Sequence, residues 1–243
     1  MAELVLCKVA DGLCTLTLNR PEKLNALSVA AFREMAAHLD GLSLDEIGCL
    51  LLTGAGRSFC AGHDLDDLAS GSEGTEAAHF ETGFIERLAN LPFPVVGAVR
   101  GHCYTGGLEL VLAADIIIAS ENAKFADTHS KWDLVPVWGL TQRLPRRVGE
   151  AKAKEMMFAG RAYGGREAEA MGLANICVPD AEFDAEVQRL CGDILANSRR
   201  SNGTVKKLIR DTEAMTLAAG IAWELHRFEG HGPEFEARLA KLR

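Results

Sequence analysis

The chain has 243 residues, 48% of them hydrophobic, and a formal net charge of -8 at pH 7. The hydrophobic content is ample for a large core, and the acidic charge argues against nucleic acid or an anionic membrane surface as a partner. The seven cysteines are odd in number and form no C-x-x-C pair, so we expect reduced thiols and neither a disulfide framework nor a metal site. No apolar run approaches the roughly 20 residues that span a bilayer, and the first residues lack a signal-peptide pattern. We therefore expect a cytoplasmic protein.

Strand patterns dominate the first fifty residues. Leu4–Val9 and Leu13–Leu18 flank an Asp-Gly pair at positions 11 and 12, which predicts a hairpin. Ser28 is a candidate N-cap for a helix that runs through Leu39. The continuous apolar run Cys49–Thr53 predicts a strand that is covered on both faces.

A βαβ unit is predicted in the middle of the chain. A polar loop over 70–75 precedes a helix that ends near Asn90, where two prolines follow. Pro94–Val99 and Ile116–Ala119 are the next two strands, and a glycine-rich loop and a helix lie between them. A strand, helix and parallel strand in this order normally form a right-handed unit.

The pattern becomes mainly helical after residue 135. Helices are predicted over 150–158, 167–172, 181–198, 201–213 and 217–229, with one short strand at Asn175–Val178. We therefore predict an α/β core over residues 1–195 and an all-helical C-terminal region over 196–243.

Glu109 is the first candidate functional residue, because it stands in a helix that has almost no other polar side chain. It follows the pair Gly106-Gly107 by about one helical turn. The first N–H groups of a helix have no partner within the helix and carry the positive end of its dipole, and glycine lets a ligand approach them closely. The pattern favours an oxyanion donor and a base on one turn; the alternative is an acid that merely complements the helix dipole.

Together, several stretches of the chain resemble the crotonase family, also called the enoyl-CoA hydratase/isomerase superfamily. The resemblance spans almost the whole chain and rests on NRPEKLNAL (19–27), SFCAGHDL (58–65), PVVGAVRGHCYTGGLELVLAADIIIAS (94–120), AKFA (123–126) and GLTQRLPRRVG (139–149). It implies a spiral of ββα turns with a C-terminal helical region that builds trimers, commonly paired into hexamers. It also implies an acyl-CoA thioester as substrate, with coenzyme A as part of that substrate and no separate cofactor.

The resemblance assigns roles to particular residues. It implies that the backbone N–H groups of His63 and Gly106 stabilise a thioester enolate, which suits donors aimed at a developing oxyanion. It implies a CoA-contacting set that consists of Ala26, Ala61, His63, Asp64, Leu65, Asp66 and Gly106. Glu109 stands where the family's hydratases carry their first catalytic acid.

Four departures from the family pattern stand out. His129 occupies the place of the second catalytic acid, and Thr105 stands where a third glycine is usual. Asp66 replaces a common lysine near CoA, and the C-terminal PEFEARLAKLR is shorter than the usual tail. The first departure bears most on catalysis, because an imidazole titrates near neutral pH and can share acid–base work with Glu109.

Four functions remain open at this stage. We predict a hydratase of 2-enoyl-CoA thioesters that uses Glu109 and His129. The alternatives are an isomerase that uses Glu109 alone, a decarboxylase of the methylmalonyl-CoA type, suggested by the loop that contains His63, and a non-catalytic acyl-CoA-binding member. Apolar residues between positions 209 and 225 predict a trimer or hexamer.

The remaining candidates are expected to be structural. They are His38, His79, His102, His226, His231, Arg143, Arg146 and Arg147, which lack metal-ligand spacing or a phosphate-binding context. Trp132 and Trp138 are expected either to line the acyl pocket or to pack in the core.

Overall fold

A computed structural model describes residues 3–64, 67 and 74–241. The chain begins with the predicted hairpin, in which β1 (Val5–Ala10) pairs antiparallel with β2 (Leu13–Leu18). Asp11 and Gly12 in the turn have φ of 50° and 81°. Two successive positive φ values are what a tight hairpin turn requires, so the Asp-Gly signal was read correctly.

Four further strands extend the hairpin into a six-stranded sheet of order β1-β2-β3-β4-β6-β9. They are β3 (Cys49–Gly54), β4 (Val95–Val99), β6 (Ile116–Ser120) and β9 (Ile176–Val178), all paired in parallel. Side chains on one side of β3 and β4, such as Leu50 and Val95, join the main core, and Cys49 and Val96 pack in a second cluster. The central strands are therefore covered on both faces, as their apolar runs predicted.

A second sheet of three short strands was not predicted. It contains β5 (His102–Tyr104), β7 (Lys124–Ala126) and β8 (Tyr163–Gly164) in the order β5-β7-β8. Cys60 in the loop after β3 pairs with Cys103 of β5 through an isolated parallel β-bridge, a backbone contact. This pairing ties the loop to β5. This sheet places that loop beside the glycine-rich turn at residue 106.

The described residues also contain helices on both sides of the sheets. We number them α1 (Val29–Asp40), α2 (Thr75–Ala89), α3 (Gly106–Val111), α4 (Leu140–Val148), α5 (Glu150–Ala159), α6 (Gly165–Ala170), α7 (Phe183–Ala196), α8 (Arg199–Asp211), α9 (Leu217–His226) and α10 (Phe235–Ala240). Short 3-10 helices occur at Pro21–Lys23 and His129–Trp132.

Most helix predictions agree with the structure within about three residues at each end. Ser28 caps α1 by accepting a hydrogen bond from the backbone N–H of Ala31 at 3.2 Å. Helix α4 was not singled out, because Pro145 lies inside it and interrupts the helical signal. The α10 segment was likewise read only as a tail.

The C-terminal helices α8, α9 and α10 contain no buried residue. The α/β arrangement followed by helices agrees with the predicted fold class, and the division at residue 195 stays a prediction. Within the described part of the chain, no helix combines the length and the apolar character that crossing a membrane requires.

Candidate active site

The turn into α3 is built by close packing around two glycines. A Cβ on Gly106 would lie 2.6 Å from Cζ3 of Trp138, and one on Gly107 would lie 2.7 Å from the carbonyl oxygen of Cys60. Any larger residue would therefore force the turn away from both neighbours. From the sequence, these glycines were expected to let a ligand approach the backbone N–H groups. The structure shows that close packing requires them as well.

Thr105 shows why a third glycine is usual at its position. Its φ is 51°, in the region that non-glycine residues adopt only at a cost. Its hydroxyl lies 2.6 Å from the hydroxyl of Thr128 and accepts a hydrogen bond from the backbone N–H of Thr128 at 3.2 Å. The strained residue therefore ties the α3 turn to the segment that carries His129.

Glu109 is buried inside α3, with 2% of its surface exposed. Its Oε1 accepts hydrogen bonds from the backbone N–H groups of Trp138 at 2.9 Å and Leu140 at 3.3 Å. Its Oε2 lies 3.6 Å from Nε2 of His129. The carboxylate in the apolar helix is thus held on one side by backbone donors and faces an imidazole on the other.

Burial raises the pKa of Glu109 to about 7. The electrostatic interaction with His129 and the hydrogen bonds from the backbone N–H groups of Trp138 and Leu140 lower this pKa, but desolvation of the carboxylate outweighs them. A carboxyl group with a pKa near 7 can both accept and return a proton at neutral pH, as a general base or acid must.

His129 is fixed by Asp127. Its Nδ1 lies 2.6 Å from Oδ1 of Asp127, and its backbone N–H donates to the same oxygen at 3.2 Å. The carboxylate of Asp127 makes Nδ1–H the donor, which leaves Nε2 directed at Glu109. The structure therefore places His129 against two carboxylates, those of Asp127 and Glu109.

The loop 58–64 brings the two candidate oxyanion donors together. A Cβ on Gly62 would lie 3.2 Å from the carbonyl oxygen of Tyr104 and 3.8 Å from the backbone nitrogen of Gly106. Leu27 holds the loop by donating to the carbonyl of Gly62 at 2.8 Å and accepting from the N–H of Asp64 at 2.7 Å. His63 and Gly106 therefore reach one cavity, and their role as oxyanion donors stays a prediction.

A cavity of about 550 Å³ contains these groups. Glu109, His129, Gly106 and His63 lie in its wall, together with an apolar set that consists of Ala78, Trp132, Leu134, Val135, Val137 and Trp138. Trp138 also packs edge-on against Phe32, with ring centroids 4.9 Å apart. Both tryptophans therefore line the cavity, and Trp138 has a packing role as well.

The predicted CoA-contacting residues are only partly gathered here. Ala61 lines the cavity, whereas Ala26 lies beside a small surface crevice near Arg20. Asp64 is buried and pairs with Nη2 of Arg20 at 2.8 Å and Nζ of Lys23 at 3.2 Å. These pairs give Asp64 a structural role in holding the loop. Leu65 and Asp66 lie outside the described residues, and the CoA contacts of the whole set stay predictions.

Glu81 is among the cavity residues that the sequence analysis missed. Glu81 of α2 is buried in the cavity wall. A signal for it exists, because Glu81 shares the helical spacing of Phe84, Ile85 and Leu88 and so belongs to the apolar face of α2.

Several of the residues expected to be structural have anchoring contacts, among them His38, His102 and Arg143. His38 Nε2 lies 2.9 Å from the carbonyl of Val5, and His102 Nδ1 lies 3.0 Å from the hydroxyl of Ser58. Arg143 donates to the carbonyl of Trp138 at 2.9 Å, so it supports the segment that binds Glu109.

Comparison with known proteins identifies the family. The family model "Enoyl-CoA hydratase/isomerase" matches residues 8–237. The chain is 37% identical to the 1,2-epoxyphenylacetyl-CoA isomerase of Escherichia coli, covering 89% of this chain and 86% of that protein. It is 33% identical to the probable peroxisomal enoyl-CoA hydratase 1 of Arabidopsis thaliana, covering 90% and 83%.

Solved structures agree with this result. The crystal structure of an enoyl-CoA hydratase from Bacillus anthracis matches with a TM-score of 0.91 at 30% identity, covering 98% of this chain and 95% of that one. A putative enoyl-CoA hydratase from Thermobifida fusca, solved in complex with CoA, matches with a TM-score of 0.85 at 26% identity, covering 99% and 94%. The crotonase-like fold predicted from the sequence is thereby confirmed. The chain belongs to the enoyl-CoA hydratase/isomerase family and is an enzyme of that family.

Proposed function

We propose that this enzyme is an enoyl-CoA hydratase that adds water across the double bond of a 2-enoyl-CoA thioester. The observation that carries the proposal is the pair of Glu109 and His129 in the wall of a largely apolar cavity, with Asp127 bound to Nδ1 of His129. Glu109 Oε2 and His129 Nε2 lie 3.6 Å apart, so a water molecule beside them can contact both groups. Hydration needs one group that deprotonates water and one that delivers a proton to Cα.

The steps follow from the charges of these groups. Ionised Glu109 takes a proton from water as the water oxygen bonds to Cβ, and the π electrons of the double bond move onto the thioester oxygen. The backbone N–H groups of His63 and Gly106 stabilise this enolate. Cα then takes a proton from Nε2 of the imidazolium of His129, which Asp127 stabilises. Proton transfer from Glu109 back to His129 restores the starting state, and the net change is the addition of one water.

An acyl-CoA substrate is supported by the relatives. Structures of a putative enoyl-CoA hydratase from Thermobifida fusca have been solved in complex with acetoacetyl-CoA and with CoA. The cavity size also suits the acyl part of such a ligand, since small-molecule sites usually have about 300–1,000 Å³.

An isomerase is the second candidate. The relative that is 37% identical is a 1,2-epoxyphenylacetyl-CoA isomerase, and a single carboxyl group with a pKa of about 7 can take a proton from one carbon and return it to another. In that case His129 positions Glu109 and does not contact the moving proton. A decarboxylase needs no strong base, so the buried and poised Glu109 does not favour it.

A homo-trimer or hexamer is the assembly we propose. Leu217, Ile221 and Leu225 are exposed along α9, and their spacing of four residues places them on one side of the helix. An exposed apolar stripe of this kind is typical of a protein–protein contact.

Incubation with a panel of thioesters tests the proposed reaction. The panel contains crotonyl-CoA, a long-chain 2-enoyl-CoA, a 3-enoyl-CoA and methylmalonyl-CoA, and products are identified by mass spectrometry. We expect 3-hydroxyacyl-CoA from the 2-enoyl substrates, with turnover lost in Glu109→Gln and kept in Glu150→Gln, an exposed glutamate on α5. Migration of the double bond without hydration would favour the isomerase.

A further inference from the structure

Glu81 is a second buried acid in the cavity, and the proposed reaction does not use it. It lies on α2, and 2% of its surface is exposed. Its Oε1 is fully buried and has no hydrogen-bond partner among the described residues. The imidazole of His63 lies beside it, with Nε2 3.6 Å from Oε1.

Two other polar groups belong to the same cavity wall as this carboxylate. The ring centroids of His63 and Trp138 are 5.4 Å apart, and both residues line the cavity with Glu81. The indole Nε1 of Trp138 is also buried and has no hydrogen-bond partner within the described part of the chain. A hydrogen-bond acceptor, an indole donor and an imidazole therefore belong to the wall of one cavity.

Packing does not account for an acid at this position. The neighbours of Glu81 on the same helix face are Phe84, Ile85 and Leu88, all buried, so leucine would complete the face without desolvating a charge. A buried carboxylate whose oxygen lacks a hydrogen-bond donor is costly. A hydrocarbon acyl chain lying against Glu81 would leave this cost unrelieved, whereas a ligand that donates to Oε1 would remove it.

We propose that Glu81, together with the His63 imidazole and the Trp138 indole, is a recognition site for a hydroxyl group on the acyl chain of the substrate. The inference rests on the proposed function to the extent that an acyl-CoA occupies this cavity. A hydroxyl group can donate to a carboxylate and accept from an indole or imidazole N–H at the same place. A carboxylate on the acyl chain would be repelled by Glu81. An ammonium group only donates hydrogen bonds, so it could not accept one from the imidazole of His63 or the indole of Trp138.

Binding measurements test this site without relying on catalysis. Saturated acyl-CoA thioesters of four to eight carbons, which cannot be hydrated, are each compared with their ω-hydroxy counterparts by calorimetry. Because a hydrogen bond to a charged group contributes the equivalent of about 10- to 100-fold in affinity, we expect the hydroxylated member to bind tighter by that factor at one or more chain lengths.

Variants then assign the preference to Glu81. In Glu81→Leu the ratio of the two affinities should fall to about one, and Glu81→Gln, which keeps an acceptor oxygen without the charge, should retain part of it. Glu76→Gln changes an exposed acid in the first turn of the same helix and should keep the full ratio. Equal binding of both members by the wild type, or an unchanged ratio in folded Glu81→Leu and Glu81→Gln, would overturn the inference while leaving the hydratase proposal intact. Binding of neither thioester would contradict both.

Discussion

Replacing Glu109 with glutamine should make the stability of the protein less sensitive to alkaline pH. Burial raises the pKa of Glu109 from its usual 4.5 to about 7. Ionising the carboxyl group therefore costs more in the folded protein than in the unfolded chain. The resulting contribution to stability is fully present below about pH 4.5 and is lost as the pH rises through 7.

The size of the effect follows from the same pKa. One pKa unit corresponds to about 1.4 kcal/mol, so the wild type should lose about 3 kcal/mol through this group between pH 4.5 and 8.5. Glu109→Gln has nearly the same shape and does not ionise. Its Oε1 can still accept from the backbone N–H groups of Trp138 and Leu140, so the variant should escape that loss.

The assay is urea unfolding at fixed protein concentration at several pH values, with the wild type and the variant compared at each one. The difference in unfolding free energy between them should shift by about 3 kcal/mol in favour of the variant from pH 4.5 to 8.5. Glu186→Gln serves as a control of opposite sign, because a hydrogen bond from Arg189 lowers the pKa of Glu186; its replacement should be relatively more harmful at high pH. A difference between wild type and Glu109→Gln that stays constant across pH would refute the claim that Glu109 is a desolvated acid.

Three further predictions concern catalysis, packing and assembly. The kcat/KM for hydration should fall as the pH drops through about 7, because Glu109 must be ionised to accept a proton from water; a pH–rate profile that is level from pH 5 to 8 would contradict this. Gly106→Ala should destabilise the protein by about 1–3 kcal/mol, because its Cβ would lie 2.6 Å from Trp138; chemical denaturation measures this, and an unchanged midpoint would show that Trp138 moves freely. Light scattering at micromolar concentration should give a trimer or hexamer, which Ile221→Asp weakens through the exposed stripe of α9; a stable wild-type monomer would exclude that assembly.

The sequence predicted the main sheet well because its signals are local. The Asp-Gly turn, the apolar run at 49–53 and the N-cap at Ser28 each act through nearby backbone geometry or burial on both faces of a strand. The short strands β5, β7 and β8 were missed, since β5 and β7 have three residues each and β8 has two. Strands of this length are defined by their pairing partners and carry little periodicity of their own.

The site was predicted only in part, because some of its residues carry a local sequence signal and others come together only through the fold. Glu109 stood out because its immediate neighbours are apolar, and His129 stood out because a family motif places an acid there. The contact of Glu109 with the backbone of Trp138 and Leu140 joins residues about thirty positions apart, which no local pattern encodes. Glu81 did carry a helical signal, and it was overlooked because one acid in an amphipathic helix is easily taken for a surface residue.

Thr105 illustrates how two departures from a family pattern can be related in space. Its positive φ belongs to a position where glycine is usual, and its hydroxyl binds Thr128, next to His129. The sequence shows the two unusual residues separately. In the fold, the parallel pairing of β5 with β7 brings the segment that carries Thr105 next to the segment that carries His129.

Crotonyl-CoA hydration by the wild type, Glu109→Gln, His129→Ala and the double variant tests the central claim most directly. If Glu109 and His129 act as a unit, with Glu109 taking a proton from water and His129 delivering one to Cα, each single change should lower kcat by about 10²–10⁴, and the double variant should be about as slow as the slower single variant. Losses that multiply in the double variant, or a His129→Ala enzyme that hydrates crotonyl-CoA at the wild-type rate, would contradict the shared role.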